Sequence, residues 1–413
     1  MTIVQAQQKE QPLSRNKLLG VAGIGWMFDA LDVGILSFII AAIGVEWGLD
    51  ATQKGWIGSV NSIGMAVGAI AFGILADKIG RKNVFMLTLI LFSVASGLSA
   101  FTTSLGVFLL LRFFIGMGLG GELPVASTLI SESVKAEERG RMVVLLESFW
   151  AFGWLLAAII SYFVIPSDFW PIEGWRVALL ITAIPAFYAV YIRMNLPDSP
   201  QFSANAAAKK TSFVEKLRIL WSKQYAKSTV MMWVLWFTVV FSYYGMFLWL
   251  PSVMTGKGFD LISSFKYVLF MTLAQLPGYF TAAYFIEKFG RKFVLITYLI
   301  GTAASAICFG NAESVATLLI FGMLLSFFNL GAWGALYAYS PEQYPDAVRA
   351  TGTGMAAGIG RIGGVLGPLL VGMLLTRGFD YGFIFAIFCG AILIGVLAVA
   401  LLGKETKQTE LIK

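Results

Sequence analysis

The chain has 413 residues, 58% of them hydrophobic and only 13% charged, with a mean hydropathy of +0.79. Soluble domains are about a quarter charged, so a soluble enzyme or nucleic-acid-binding domain is excluded, and the apolar fraction is enough for about 12 membrane helices of roughly 20 residues. Histidine is absent and the two cysteines, Cys308 and Cys389, lie in apolar runs, so no metal, cofactor or disulfide framework is expected, and the net charge of +7 calls for a location on a membrane protein.

Residues 1–17 are polar and lack the apolar core of a cleavable signal peptide. Apolar runs follow near 18–43, 53–76, 84–103, 105–131, 141–165, 176–195, 227–252, 264–287, 293–310, 314–340, 351–375 and 379–402. They are too long and too uniformly apolar for barrel strands, which are about 10 residues of alternating polarity. The fold class is therefore all-α, a membrane protein of 12 transmembrane helices. The one long polar interruption, 196–226, carries Pro197, Pro200, an alanine-lysine tract and an amphipathic stretch from Phe213 to Trp221. It divides the chain into a tail (1–17), a first bundle (18–195), a linker (196–226), a second bundle (227–402) and a second tail (403–413).

Basic residues orient the spans. With the N-terminus inside, the inner segments hold clusters such as Lys78, Arg81 and Lys82, or Lys288, Arg291 and Lys292, and nearly the whole linker charge. The outer loops hold only Lys54, Lys257, Lys266 and Arg377. This asymmetry predicts both termini on the cytoplasmic side of a cell membrane, and it accounts for the net charge without nucleic acid as a partner.

The two halves repeat. Asp77 and Glu287, Gly80 and Gly290, Arg81 and Arg291 are each 210 residues apart, and so are Glu132 and Glu342, Arg139 and Arg349. One offset at two separate loops marks a duplication, and two parallel six-helix halves around a midplane site is a secondary-transporter architecture. Gly73 allows close helix approach; Asp77 can bond a helix N-terminus of the other half, and Arg81 can pair with acids such as Glu132. Gly73, Asp77, Gly80, Arg81, Glu132, Arg139, Glu287, Arg291, Glu342 and Arg349 are thus expected to gate the cytoplasmic side.

The loop Gly73-Ile-Leu-Ala-Asp77-Lys-Ile-Gly80-Arg81-Lys82 resembles the signature of the major facilitator superfamily. Arg112-Phe-Phe-Ile-Gly116-Met-Gly118-Leu-Gly120-Gly121-Glu122, Leu196-Pro-Asp-Ser-Pro200 and Ser340-Pro-Glu342 resemble motifs of its sugar porters and aromatic-acid:proton symporters. Phe28-Asp29-Ala30-Leu31-Asp32 and Glu147-Ser-Phe-Trp150-Ala-Phe-Gly-Trp154 are similar to the niacin transporters of the metabolite:proton symporter group. The resemblance implies a fold of two six-helix bundles, proton-coupled uptake and a rocker-switch cycle, with no enzyme activity.

Ionisable groups in hydrocarbon are functional candidates by default. Asp29 and Asp32 lie in span 1, Arg112 and Glu122 in span 4, Glu147 in span 5 and Arg361 in span 11. At 1.5 Å per residue, Asp32 lies roughly 20 Å from the inner end of its span and Arg112 roughly 10 Å from the outer end, depths that coincide in a core about 30 Å thick. The sugar-porter resemblance implies that Asp32 and Arg112 couple the proton; Asp29, one turn away, is a second carrier or lines the cavity. Glu122 and Glu147 are divided between substrate contact and structure. The resemblance to organic-anion carriers assigns Arg361, in Gly358-Ile-Gly360-Arg361-Ile-Gly363-Gly364, to an anionic substrate, and a guanidinium suits a carboxylate. Trp333 matches the substrate-contacting tryptophan of sugar porters, and Tyr337 is one turn on. Tyr243, Trp26, Trp150, Tyr244 and Gln275 are weaker candidates, more at home in packing. The expected partners are a small aromatic carboxylate such as nicotinate, protons and the bilayer, with the chain a monomer. A sugar or polyol porter, a drug or cation:proton antiporter and, last, a non-transporting receptor are the alternatives.

Overall fold

The computed structural model describes residues 15–79, 81–133, 139–185, 187–188 and 213–407, several inner helix ends by backbone alone. Without water in the bilayer, every backbone amide must be satisfied within its own segment, and the described chain is correspondingly helical. The first half holds α1 (Arg15–Glu46), α2 (Ala51–Ile79), α3 (Arg81–Ser99), α4 (Leu105–Ser133), α5 (Arg139–Val164) and α6 (Gly174–Ile181). An amphipathic α7 (Phe213–Leu220) follows in the linker. The second half holds α8 (Ala226–Phe247), α9 (Leu250–Gly256), α10 (Leu261–Leu273), α11 (Gln275–Phe289), α12 (Arg291–Gly310), α13 (Val315–Glu342), α14 (Asp346–Thr376) and α15 (Tyr381–Leu402).

Among the described residues, nine helical stretches are long and apolar enough to cross a membrane, and Met86–Ser99 and Leu105–Gly120 are shorter apolar helices in the third and fourth spans. The sixth span begins at α6. The molecule is an all-α membrane protein with the twelve-span, two-bundle architecture. Three spans depart from uniform helices at prolines. Helices end at Ile181, Phe247 and Leu273, each four residues before Pro185, Pro251 and Pro277. A proline ring collides with the carbonyl four residues earlier and removes a donor. Pro341 and Pro368 lie inside α13 and α14 without such a break.

Glycines set the closest helix pairs. On α2, Gly64 and Gly68 lie against the backbone of Phe113 and Met117; on α4, Gly116 and Gly120 lie against the backbone of Asn61 and Met65. Small residues let membrane helices approach to backbone contact, where lipid supplies no hydrophobic drive. On α14, Gly360, Gly363 and Gly367 likewise abut the α8 backbone at Trp236, Phe237 and Phe241. The bundles meet along α2 and α14. There the Ser59 hydroxyl donates to the Val365 carbonyl at 2.6 Å, and the Thr52 and Thr376 hydroxyls are 3.0 Å apart. These contacts close the end of the molecule opposite the basic loops.

Candidate functional site

The first bundle contains a sealed ion pair. Arg112 Nη1 on α4 donates to Asp32 Oδ2 on α1 at 3.3 Å, and both side chains have 0% exposure. The Ser96 hydroxyl of α3 donates to Asp32 Oδ1 at 3.4 Å and is itself bonded to Thr182, just past α6. The Arg112 guanidinium lies over the Phe108 ring at 5.2 Å, while its Nε and Nη2 have no hydrogen-bond partner. Such a pair lowers the cost of each buried charge without abolishing it. Pairing at matched depth follows the sequence expectation, but the pair is walled in by α3, α4 and the sixth span. Asp29, one turn away, is also buried.

A second group forms an aromatic cluster between the bundles. Trp333 and Tyr337 stack at 5.8 Å on α13, and Trp236 of α8 meets both edge-on. Tyr243 of α8 meets Trp333 edge-on at 5.3 Å. From the first bundle, Trp26 of α1 meets Tyr337 edge-on at 6.3 Å and Trp150 of α5 at 5.0 Å. The Trp150 indole donates to the Tyr243 hydroxyl at 2.8 Å, a hydrogen bond between the halves. Glu147, also on α5 and buried, lies beside the Trp26 indole. Tyr337 has Glu147 and Arg361 as its charged neighbours. The Trp333 indole N–H is buried with no partner.

Arg361 is half-buried on α14. Its Nη1 reaches the Tyr244 hydroxyl at 3.4 Å and the Met65 sulfur at 3.5 Å. Among the described residues the ion pairs involve Arg112, Arg176 and Arg291, and none involves Arg361. Arg361, Trp333, Tyr337, Tyr243 and Glu147 thus occupy one neighbourhood. The weaker candidates Trp26, Trp150 and Tyr244 lie in the same neighbourhood, as do Trp236, Met65 and Asn61, which the sequence does not single out. One signal was available: Trp236, Tyr243 and Tyr244 are seven and eight residues apart, hence on one helix face. Gln275 is buried at the start of α11.

The second-half loop residues assemble. Arg291 lies 3.2 Å from Glu342 and 3.4 Å from Glu287. The Glu405 carboxylate accepts from the backbone N–H groups of Arg291 and Lys292 at 2.9 and 3.0 Å, an anion at the N-terminus of α12. Arg349 donates to the Pro341 carbonyl at 3.0 Å. This cluster ties segments of the second bundle to one another. Gly80 and the side chains of Gly73, Asp77, Arg81, Glu122, Glu132 and Arg139 lie outside the described residues.

Two helical bundles that meet at an aromatic cluster with a cationic group beside it, one of them burying a charge pair, have the architecture of a membrane transporter. The Major Facilitator Superfamily profile matches residues 22–279 and 267–413, and the chain belongs to that family. It is 65% identical over 403 residues to the candidate niacin/nicotinamide transporter NiaP of Bacillus subtilis (strain 168), covering 98% of this chain and 99% of that one. It is 44% identical to the niacin transporter NiaP of Acinetobacter baylyi, covering 94% of each. Its fold matches the partially occluded inward-open xylose transporter XylE from E. coli with a TM-score of 0.78 at 18% identity, over 96% of this chain and 99% of that one.

Proposed function

We propose that this transporter imports a small aromatic carboxylate, with nicotinate the leading candidate, together with protons. The observation that carries the reading is Arg361: a guanidinium beside an aromatic cluster between the bundles, with no carboxylate paired to it among the described residues. A cation in a low-dielectric site recruits an anion, and stacked aromatic walls suit a flat ring. The name of the Acinetobacter relative favours a pyridine carboxylate, and that of the Bacillus relative a pyridine carboxylate or its amide. Asp32 is the proton carrier, and its pair with Arg112 opens during the cycle for the proton to be taken up. Glu147 and the Trp333 indole line the substrate side, and Asp29 is the second candidate carrier. The bundles, divided near the linker at 196–226, rock about the aromatic cluster, with the inner loop residues, including Asp77, Arg81, Glu132 and Arg139, as gates. Both termini lie in the cytoplasm, and the working unit is a monomer.

In proteoliposomes, uptake of labelled nicotinate should rise with an inward proton gradient and collapse with a protonophore. Arg361→Ala should abolish uptake of the acid. Uptake indifferent to the gradient rejects the coupling, and an Arg361→Ala protein that still carries nicotinate rejects the anchor.

A further inference from the structure

We propose that Asn61 of α2 and Tyr244 of α8 complete, with Arg361, a carboxylate subsite that bridges the two bundles, and that the Met65 thioether fills it when no acid is bound. The proposal rests on the reading of Arg361 as the anion anchor and extends it to groups on both halves.

Three donors converge on one sulfur. Arg361 Nη1, the Tyr244 hydroxyl and Asn61 Nδ2 lie 3.5, 3.7 and 3.9 Å from Met65 Sδ. Arg361 Nη1 is also 3.4 Å from the Tyr244 oxygen, so the donors form one cluster. Asn61, Met65 and Tyr244 are 1%, 2% and 3% exposed. Buried donors normally meet oxygen acceptors, and a thioether is a weak substitute. The neighbouring Ser62 hydroxyl, which can also donate, is likewise buried without a hydrogen-bond partner among the described residues. A convergence of donors on a poor acceptor is an arrangement short of an anion.

A carboxylate supplies what is missing. Its two oxygens offer about four lone-pair positions, enough for a guanidinium, a phenol and an amide together. The sulfur must leave, and methionine, unbranched with three rotatable bonds, moves aside more readily than a branched residue. Asn61 and Met65 belong to the first bundle, Tyr244 and Arg361 to the second. A bound acid therefore ties α2 to α14 beside the contact where Gly364 faces the Ser62 side chain. An uncharged amide fits poorly, since its own N–H groups point at donors.

The test is calorimetric titration of the full-length protein in lipid nanodiscs with nicotinate, benzoate and nicotinamide. Asn61→Leu and Tyr244→Phe should each weaken both acids by about 10-fold, the loss expected for one hydrogen bond to a charged group, and nicotinamide by less than about 2-fold. The melting temperature of the empty Tyr244→Phe protein should be unchanged. Met65→Leu removes the stand-in acceptor and should bind the acids as tightly as the parent or up to about 3-fold tighter, as befits the loss of a weak competing bond. If Asn61→Leu fails to fold, Asn61→Asp replaces it and should repel the acids. Acid binding that survives both Asn61 and Tyr244 substitutions, while Arg361→Ala loses it, overturns the bridging subsite and leaves the anchor standing. Equal losses of acid and amide also overturn the subsite. Acid binding undisturbed by Arg361→Ala, or no acid binding by the parent, overturns both readings.

Discussion

Replacing Asp32 by Asn separates a coupling role from a structural one. The Asp32–Arg112 pair spans 3.3 Å with both side chains fully buried. Removing one partner of such a pair strands the other charge, at a cost of about 3–5 kcal/mol. Asparagine keeps the volume of aspartate and one oxygen to accept from Arg112 or Ser96, so the cost of Asp32→Asn should fall at the lower end, about 3 kcal/mol. The double variant Asp32→Asn/Arg112→Gln removes both charges at near-constant volume. It should recover all but about 1 kcal/mol of the loss, because replacing a buried ion pair by neutral groups of similar volume is often close to neutral. Chemical denaturation of the solubilised protein measures these differences. In proteoliposomes, a static pair predicts that the double variant regains gradient-driven accumulation along with stability. A proton-coupling pair predicts that it folds and performs nicotinate counterflow but does not accumulate. Accumulation by the stable double variant would refute the coupling role of Asp32.

Trp333→Ala should weaken nicotinate binding by about 10-fold, because stacking is worth about 0.5–1.5 kcal/mol beyond the buried area; Trp333→Phe, which keeps a ring, should lose about 3-fold in the same titration. With Thr52 and Thr376 both changed to Cys, oxidation should form a disulfide across α2 and α14, since their hydroxyls are 3.0 Å apart. Uptake should then stop and return with reductant; a cross-link without effect on uptake would show that these ends stay closed throughout the cycle. Gly116→Val sets a branched side chain against the Asn61 backbone. It should cost at least about 1–3 kcal/mol, read as a lower melting temperature, and Gly106→Val, with open space around it, serves as the neutral control.

What the sequence disclosed follows from what hydrocarbon penalises. A charge in the bilayer must find a partner, so Asp32 and Arg112 could be paired from depth alone, and the structure joins them. Arg361 stood out for the same reason. The aromatic residues carried no such signal. Lipid is as apolar as a bundle interior, so composition does not tell a tryptophan that faces the other bundle from one that faces lipid. Trp26 and Trp150 therefore rank only as weaker candidates by sequence, and the structure places them against each other, with Trp26 against Tyr337 of the second bundle. Met65 was invisible for a different reason: a thioether gains meaning only from donors on other helices. The helix breaks after Ile181, Phe247 and Leu273 fall within runs read as uniformly apolar, because a proline acts four residues upstream, on a carbonyl that is itself part of the run.

The charge pair and the aromatic cluster are separate sites, and the glycine seams bear on how they communicate. Arg112 sits on α4 one turn before Gly116, and Gly116 abuts the Asn61 backbone. Asn61 in turn lies one turn from Met65, whose sulfur meets Arg361. A seam of backbone on backbone has no side-chain rotamer to absorb a shift, so a displacement of α4 is passed to α2 undiminished. Trp26 and Asp32 lie about 9 Å apart along α1 on different faces, one in the aromatic cluster and the other in the pair. Protonation of Asp32 would free α4 from α1, and substrate binding at Arg361 would fix α2. On the proposed coupling, the two events act on the same pair of close-packed helices from opposite ends, so that neither ligand need touch the other for each to bias the state of both bundles.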